Sequence, residues 1–182
     1  LGRPVEAVPV LSQLLALQNQ SANRIALARA QIAAKEQTAA LATLQPLLDA
    51  GSRNSDAFLL AAQLAEDENE TPKAVEWLRK AIELDPKNVN AYLAFSEICF
   101  NHGSFKIGID FLNLGIQQLP SEARLYLARG VLEEQMTQAD VALGDFEKAH
   151  QLNPQLSFAE DAMVMLLIQK HDSTAALALF AN

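Results

Sequence analysis

Three prolines recur at a fixed spacing, and this spacing constrains the fold more than any other feature of the sequence. Pro86, Pro120 and Pro154 are each separated by 34 residues (120 − 86 and 154 − 120). A period of this size is typical of arrays in which similar helical units stack on their neighbours. With each proline taken as position 32 of a unit, the full units are 55–88, 89–122 and 123–156. A weaker full unit precedes them at 21–54, and a partial unit follows at 157–182.

Small and large residues occupy matching positions of these units. Position 20 is always small, at Ala40, Ala74, Gly108, Ala142 and Ala176. Position 24 is always large and apolar, at Leu44, Leu78, Leu112, Phe146 and Phe180. Two antiparallel helices approach closely only where one presents a small residue to a bulky residue of the other. The pattern therefore predicts pairs of antiparallel helices, and the lack of β-branched and aromatic runs argues against strands.

This pattern resembles the tetratricopeptide repeat (TPR), which has about 34 residues with aromatic, small, Ala, Phe and Pro landmarks. The resemblance covers nearly the whole chain. It implies an all-α fold, a right-handed α-solenoid of stacked antiparallel helix pairs in a TPR superhelix. Residues 1–182 are then one TPR array, in which 1–20 form the second helix of a truncated unit. We expect this array to be a segment of a longer protein, because the partner of the 1–20 helix is missing and the last helix lacks the polar cap that normally closes a solenoid.

Cap and turn residues predict where the helices begin and end. Ser55 and Thr71 are predicted N-caps, and Ser157 is predicted to open the last unit with a capping box. Gly51 is predicted to end one helix, and Gly103 is predicted to end another in the left-handed conformation that glycine adopts without strain. The connections between helices are short throughout, as a helical array requires.

The charge balance argues against several classes of partner. The chain has 22 Asp and Glu against 14 Lys and Arg, which gives a formal net charge of −8. No basic stripe is present, so neither nucleic acid nor an anionic membrane surface is expected as a partner. No uncharged apolar run is long enough to span a bilayer, so direct membrane insertion is not expected.

No catalytic, cofactor-binding or metal-binding set is predicted, and we do not expect enzymatic activity within these residues. His102, His150 and His171 lie far apart in the repeat frame, and no HExxH or CxxC spacing occurs, so a zinc site is not supported. Cys99 occupies a position that faces the packed side of its helix, which predicts a buried structural thiol. No cofactor is expected.

One charged pair could act as a ligand site or as a structural contact. Arg129 and Glu133 lie one helical turn apart on a face predicted to be partly buried. An i, i+4 ion pair that satisfies itself is the favoured interpretation, and ligand binding is the alternative.

The resemblance also implies a binding groove, because the first helix of each unit lines the inner surface of TPR arrays. Carried over by position, the partner-binding residues are Ile25, Arg29, Leu59, Gln63, Asn90, Leu93, Glu97, Phe100, Arg124, Leu127, Val131, Phe158, Asp161 and Met165. Leu59, Leu93 and Leu127 share one repeat position and are expected to form an exposed apolar row. An apolar row edged by acidic groups is suited to a peptide or helix with a basic segment.

The sequence argues against one TPR subtype. Chaperone-binding TPR domains hold a C-terminal carboxylate with Lys, Asn and Arg side chains, and the matching positions here are Leu59, Gln63, Ala94, Arg124 and Ala128. Because Arg124 alone keeps a suitable charge, a carboxylate clamp is not expected.

Three functions stay open on the sequence alone. The favoured one is a protein–protein interaction scaffold that binds a peptide or helix of a partner in an apolar, acid-edged concave groove. The second is a regulatory or substrate-docking TPR segment of a larger enzyme, such as a glycosyltransferase. The third is a self-associating structural array, a homo-oligomer formed through the exposed array ends.

Overall fold

The computed structural model describes residues 4–49 and 53–170, and these residues form ten α-helices and no strand. The helices are α1 (Pro4–Leu17), α2 (Ser21–Ala33), α3 (Gln37–Leu48), α4 (Ser55–Asp67), α5 (Thr71–Leu84), α6 (Val89–Asn101), α7 (Phe105–Gln118), α8 (Ala123–Gln135), α9 (Ala139–Leu152) and α10 (Ser157–Gln169). The predicted all-α fold is confirmed. Gly51, His171 and the apolar stretch 175–180 lie outside the described residues.

The chain divides into two compact units, Leu1–Ala91 and Tyr92–Asn182. In the first unit α1 packs on α2, α2 on α3, and α4 on α5. Its core includes Ala28 and Ala40, which are fully buried beside the bulky Leu44. Trp77 is half-buried against the same cluster. The small-against-large packing predicted from the repeat positions is therefore present in this unit.

In the second unit α7 packs on α8, α8 on α9, and α9 on α10. Gly130 of α8 lies against the ring of Phe146 on α9, so closely that a β-carbon on Gly130 would be 2.6 Å from the ring carbon Cε1. Phe95 and Phe111 stack with their ring centroids 3.9 Å apart. Cys99 is buried and free, as predicted, and burial raises the pKa of its thiol. In this unit α8 and α9 thus pack tightly where α8 presents a glycine to a bulky side chain of α9.

Four of the described helices end in the same way. The residue after the last turn is left-handed, and the four such residues are spaced by 34: Lys35 (φ 62°), Asn69 (φ 61°), Gly103 (φ 67°) and Thr137 (φ 58°). The next N–H donates to the carbonyl five residues earlier, as from Glu70 to Ala65 (2.7 Å) and from Gln138 to Glu133 (3.0 Å). This hydrogen bond defines the Schellman motif. The left-handed end predicted at Gly103 is confirmed.

The predicted N-caps are each one residue too late. Asn54 caps α4 by accepting a hydrogen bond from the Ala57 N–H at 3.0 Å, and Ser55 is the first helical residue. The Ser55 hydroxyl instead donates to the carbonyl of Ala81 on α5 at 2.9 Å.

The predicted N-caps of α5 and α10 are likewise one residue too late. The observed N-caps are Glu70 and Leu156, and neither side chain makes a capping hydrogen bond. At both helices the backbone carbonyl of the earlier residue already accepts the first helical hydrogen bonds, which shifts the start by one position.

Candidate functional site

An apolar cleft of about 620 Å³ lies in the second unit. It is formed by α6, α8 and the start of α10. Side chains spaced three and four residues apart on α6 and α8 point to one face of each helix. The lining residues are Leu93, Ser96, Glu97, Phe100, Arg124, Leu127, Ala128, Val131, Leu132, Leu156 and Phe158.

The cleft offers apolar surface to solvent. Phe158 is 60% exposed and Phe100 is 41% exposed. Leu93, Leu127 and Val131 are half-buried. Contiguous exposed apolar surface with a polar rim is characteristic of interaction sites. The cleft therefore has the physical character of a docking surface for apolar side chains.

Acidic groups outweigh basic groups at the rim of the cleft. Glu97 is exposed. The Nε atom of Arg124 lies 2.8 Å from Oε1 of Glu122, which offsets its charge. The hydrogen bond from Arg124 also lowers the pKa of Glu122, so this carboxylate stays ionised. These three groups carry one net negative charge, which favours a cationic group beside the cleft.

Half of the predicted groove residues line this cleft. They are Leu93, Glu97, Phe100, Arg124, Leu127, Val131 and Phe158. Asp161 and Met165 lie further along α10 and are exposed, with Met165 68% exposed. Four buried or half-buried residues also line the cleft and were not predicted as groove residues: Ser96, Ala128, Leu132 and Leu156.

The remaining predicted groove residues lie in the first unit. Ile25 and Arg29 line a shallow hollow of about 450 Å³, where Nη2 of Arg29 lies 3.1 Å from Oδ2 of Asp56. Gln63 and Asn90 are exposed and line neither hollow. Leu59 is only 4% exposed, because α4 is buried around most of its circumference. The predicted exposed row of leucines therefore does not include Leu59.

A buried charge cluster lies between α8 and α9 and differs from the predicted ion pair. The Arg129 guanidinium makes a two-pronged contact with Asp145, with Nε–Oδ2 and Nη2–Oδ1 distances of 2.6 Å. Its Nη1 donates to Oδ1 of Asn113 on α7 at 2.5 Å. The distance from Nε to Oε1 of Glu133 is 3.8 Å, so Glu133 is the more distant partner. The predicted pair exists as a weak contact, and the principal partner is Asp145, 16 residues away.

The cluster perturbs the titration of its groups. Burial, together with the neighbouring Asp145 charge, raises the pKa of Glu133 to about 7 despite the opposing effect of Arg129. The hydrogen bonds to Asp145 raise the pKa of Arg129 further above its usual value. Arg129 therefore stays charged, whereas Glu133 is poised to change its protonation state near neutrality.

Two other kinds of site are absent from the described residues. Residues 4–49 and 53–170 contain no group of three or more His, Cys, Asp or Glu side chains arranged to hold a metal ion. No helix in the same ranges combines the length and the apolar character needed to cross a bilayer.

Comparison with known proteins identifies the repeat. Residues 55–88 match the sequence profile of the tetratricopeptide repeat. No curated protein sequence matches the chain. Solved structures with the same fold include MamA, with 21% sequence identity over 85% of this chain and 91% of that one and a TM-score of 0.72.

Two further structures extend the comparison. PilF of Pseudomonas aeruginosa is 21% identical over 87% of this chain and 72% of that one, with a TM-score of 0.75. YrrB, described as a TPR protein with an unusual peptide-binding site, is 15% identical over 93% of this chain and 88% of that one, with a TM-score of 0.65. Residues 55–88 therefore match a tetratricopeptide repeat, and the described helices share the helical-repeat fold of these structures.

Proposed function

We propose that this protein binds a segment of a partner protein in the cleft formed by α6, α8 and α10. The segment presents apolar side chains to the cleft and a Lys or Arg side chain to its rim. The observation that carries this proposal is the exposure of Phe158 and Phe100 beside a hollow of about 620 Å³.

Apolar contacts supply most of the affinity in this proposal. Full burial of one Phe, Leu or Met side chain of the partner contributes roughly 1.5–3 kcal/mol. A helix or extended peptide that places two or three such side chains in the cleft therefore binds in the micromolar range after the entropic cost of association.

Acidic groups supply selectivity. The carboxylate of Glu97 lies at the rim, and the charge of Arg124 is offset by Glu122. The whole chain carries a formal net charge of −8, which attracts basic segments from a distance and repels acidic ones. Binding is accordingly salt-sensitive in its association rate more than in its dissociation rate.

The fold comparison adds general support. YrrB, which shares this fold, is a TPR protein with a peptide-binding site. Peptide binding is thus a function that the fold accommodates, while the chemistry of the bound segment follows from the residues of this chain.

The test uses a displayed library of random peptides selected on the wild-type chain, followed by anisotropy titrations of the selected peptides. Leu127→Glu and Phe158→Glu each place a charge in the cleft. The matched control is Ile107→Glu on α7, because Ile107 is 50% exposed and does not line the cleft. Circular dichroism first establishes that all three variants are folded.

We expect the selected peptides to combine apolar residues with Lys or Arg. Their affinity should fall at least about tenfold in both cleft variants and stay unchanged in the control. Equal losses in the control, or selection of acidic peptides, would overturn the proposal. A concentration-dependent dimer in analytical ultracentrifugation that both cleft variants abolish would instead assign the cleft to a second copy of this chain.

A further inference from the structure

Two buried carboxyl groups share one guanidinium where α8 packs on α9. None of these three groups lines the cleft. Glu133 on α8 is 5% exposed and Asp145 on α9 is 6% exposed. Arg129 contacts Asp145 with two nitrogens at 2.6 Å and approaches Glu133 at 3.8 Å. The Oε2 atom of Glu133 is buried and has no hydrogen-bond partner in the described part of the chain.

The charges of this cluster do not balance when both acids are ionised. Asp145 takes both prongs of the guanidinium, and Asn113 takes a third nitrogen at 2.5 Å. An ionised Glu133 would then be a second buried negative charge without a close cation. Burial of such a charge is costly, and the protein avoids that cost when the group binds a proton.

The groups around Glu133 come from each helix packed on α8. Asp145 acts from α9 and Arg129 acts from α8 itself. The other charged residues of α9 near this level, Glu147 and Lys148, are exposed. From α7, uncharged Asn113 reaches Arg129.

The remaining charges of α7 and α6 lie at the surface. Lys106 and Asp110 of α7 are exposed and paired with each other at 2.8 Å. Glu97 of α6 is exposed at the cleft. The buried cluster therefore consists of two acids and one cation.

We propose that Glu133 is a proton-binding site built into the fold, which is occupied when α8 and α9 are fully packed and whose ionisation weakens this packing. In the protonated state the Glu133 carboxyl is neutral and donates a hydrogen bond toward the Asp145 carboxylate. When the proton leaves to solvent, the two carboxylates repel each other across the helix interface. Because Leu132, next to Glu133, lines the cleft, the proton site lies one residue from the proposed docking surface.

The first test is a carboxyl titration of the full 182-residue chain labelled with ¹³C at glutamate side chains. We expect one glutamate resonance to titrate near pH 7, and this resonance to be missing in Glu133→Gln. The usual pKa of a glutamate side chain is about 4.3. A Glu133 midpoint in that ordinary range overturns the proposal, and through-bond assignment in the wild type makes the result independent of the variant.

The second test distinguishes a proton switch from a merely structural carboxyl. Urea unfolding from about pH 5 to about pH 8 is compared for the wild type, Glu133→Gln and the control Glu147→Gln, which changes an exposed acid on α9. Relative to Glu133→Gln, the wild-type unfolding constant should increase by between about tenfold and a hundredfold over this range. Glu147→Gln should follow the wild type, and a constant difference between wild type and Glu133→Gln would refute the switch.

Discussion

Replacement of Gly130 by alanine tests the packing of α8 against α9 most directly. A β-carbon on Gly130 would lie 2.6 Å from Cε1 and 2.8 Å from Cδ1 of Phe146, and 3.2 Å from the carbonyl oxygen of Ala142. The Phe146 ring is fully buried, so it has no solvent-exposed space to move into. Gly130→Ala should therefore force the two helices apart or rotate the ring away from its preferred conformation.

The expected magnitude is the difference between two effects. Overpacking a well-packed core by one methyl group costs about 1–3 kcal/mol. Alanine in place of glycine inside a helix contributes about 1 kcal/mol in the opposite direction. The net destabilisation should therefore lie between about 0 and about 2 kcal/mol, which lowers the midpoint of thermal unfolding by up to roughly 8 °C in a chain of this size.

Gly144 on α9 provides the matched control, because a β-carbon built there meets nothing within 4 Å. Gly144→Ala should stabilise the protein by about 0.5–1 kcal/mol through helix propensity alone. Urea and thermal unfolding, followed by circular dichroism, should separate the two variants by about 0.5–3 kcal/mol, the sum of these opposite effects. Equal stability of Gly130→Ala and Gly144→Ala would refute the close approach of α8 and α9.

Four further predictions address other elements of the fold. Ala81→Leu adds bulk at a fully buried site on α5 and should cost about 1–3 kcal/mol in urea unfolding, whereas a neutral result would contradict the repeat register. Ser55→Ala removes the hydrogen bond to the Ala81 carbonyl and should cost about 1–2 kcal/mol by the same assay, with no change in helix content. Thr137→Gly relieves a left-handed β-branched residue and should stabilise the protein by about 0.5–1 kcal/mol in thermal unfolding; a loss of stability would speak against the Schellman end of α8. Glu133 binds its proton more tightly when folded, so its contribution to stability is complete below pH 4.5 and is lost as pH rises to about 7, by up to about 3 kcal/mol relative to Glu133→Gln; no pH dependence of that difference would contradict the raised pKa.

The helix pairs were predictable because residue size at fixed repeat positions determines how the two helices pack. Ala28 and Ala40 are fully buried beside Leu44, as the alternation of small and large residues requires. The left-handed residues at helix ends were harder to predict. Gly103 indicates such an end directly, but Lys35 and Thr137 adopt the same conformation without a glycine. There the helix-terminal hydrogen bonds outweigh the local cost of the left-handed backbone.

Contacts between helices account for what the sequence analysis missed. Arg129 was paired with Glu133 because both lie on one helix, yet Asp145 on the next helix accepts two of its hydrogen bonds. Asp145 directly precedes Phe146, whose inward direction was predicted. Its position beside a buried residue was the one sequence feature that indicated a buried Asp145. Ser55 was assigned as a cap, but its hydroxyl donates to α5 and Asn54 takes the capping role. Local pattern cannot decide between two such partners, because the choice depends on packing geometry.

The candidate site was likewise predictable only in part from the repeat. Leu59, Leu93 and Leu127 occupy one repeat position, and the repeat fixes the direction in which each side chain leaves its helix. It does not fix what covers the side chain. Leu59 is 4% exposed, while Leu93 and Leu127 are half-buried and line the cleft. Exposure at a groove position is therefore a property of each unit, because it depends on which neighbouring helices cover the side chain.

Repeat positions with a constant residue size and repeat positions with a variable side chain have different roles in this chain. Position 20 is Ala or Gly in every unit. Ala40, Ala74 and Ala142 are fully buried there, where helix packing leaves no room for a larger residue. Position 9 faces the predicted groove, and there the side chain changes from one unit to the next: Arg29, Gln63, Glu97, Val131 and Met165. Packing requires residues of similar size at the same position of each unit, whereas recognition of a partner requires side chains of different chemistry along the surface. The proposed specificity of the cleft therefore resides in residues such as Glu97 and Phe158, which no repeat rule determines.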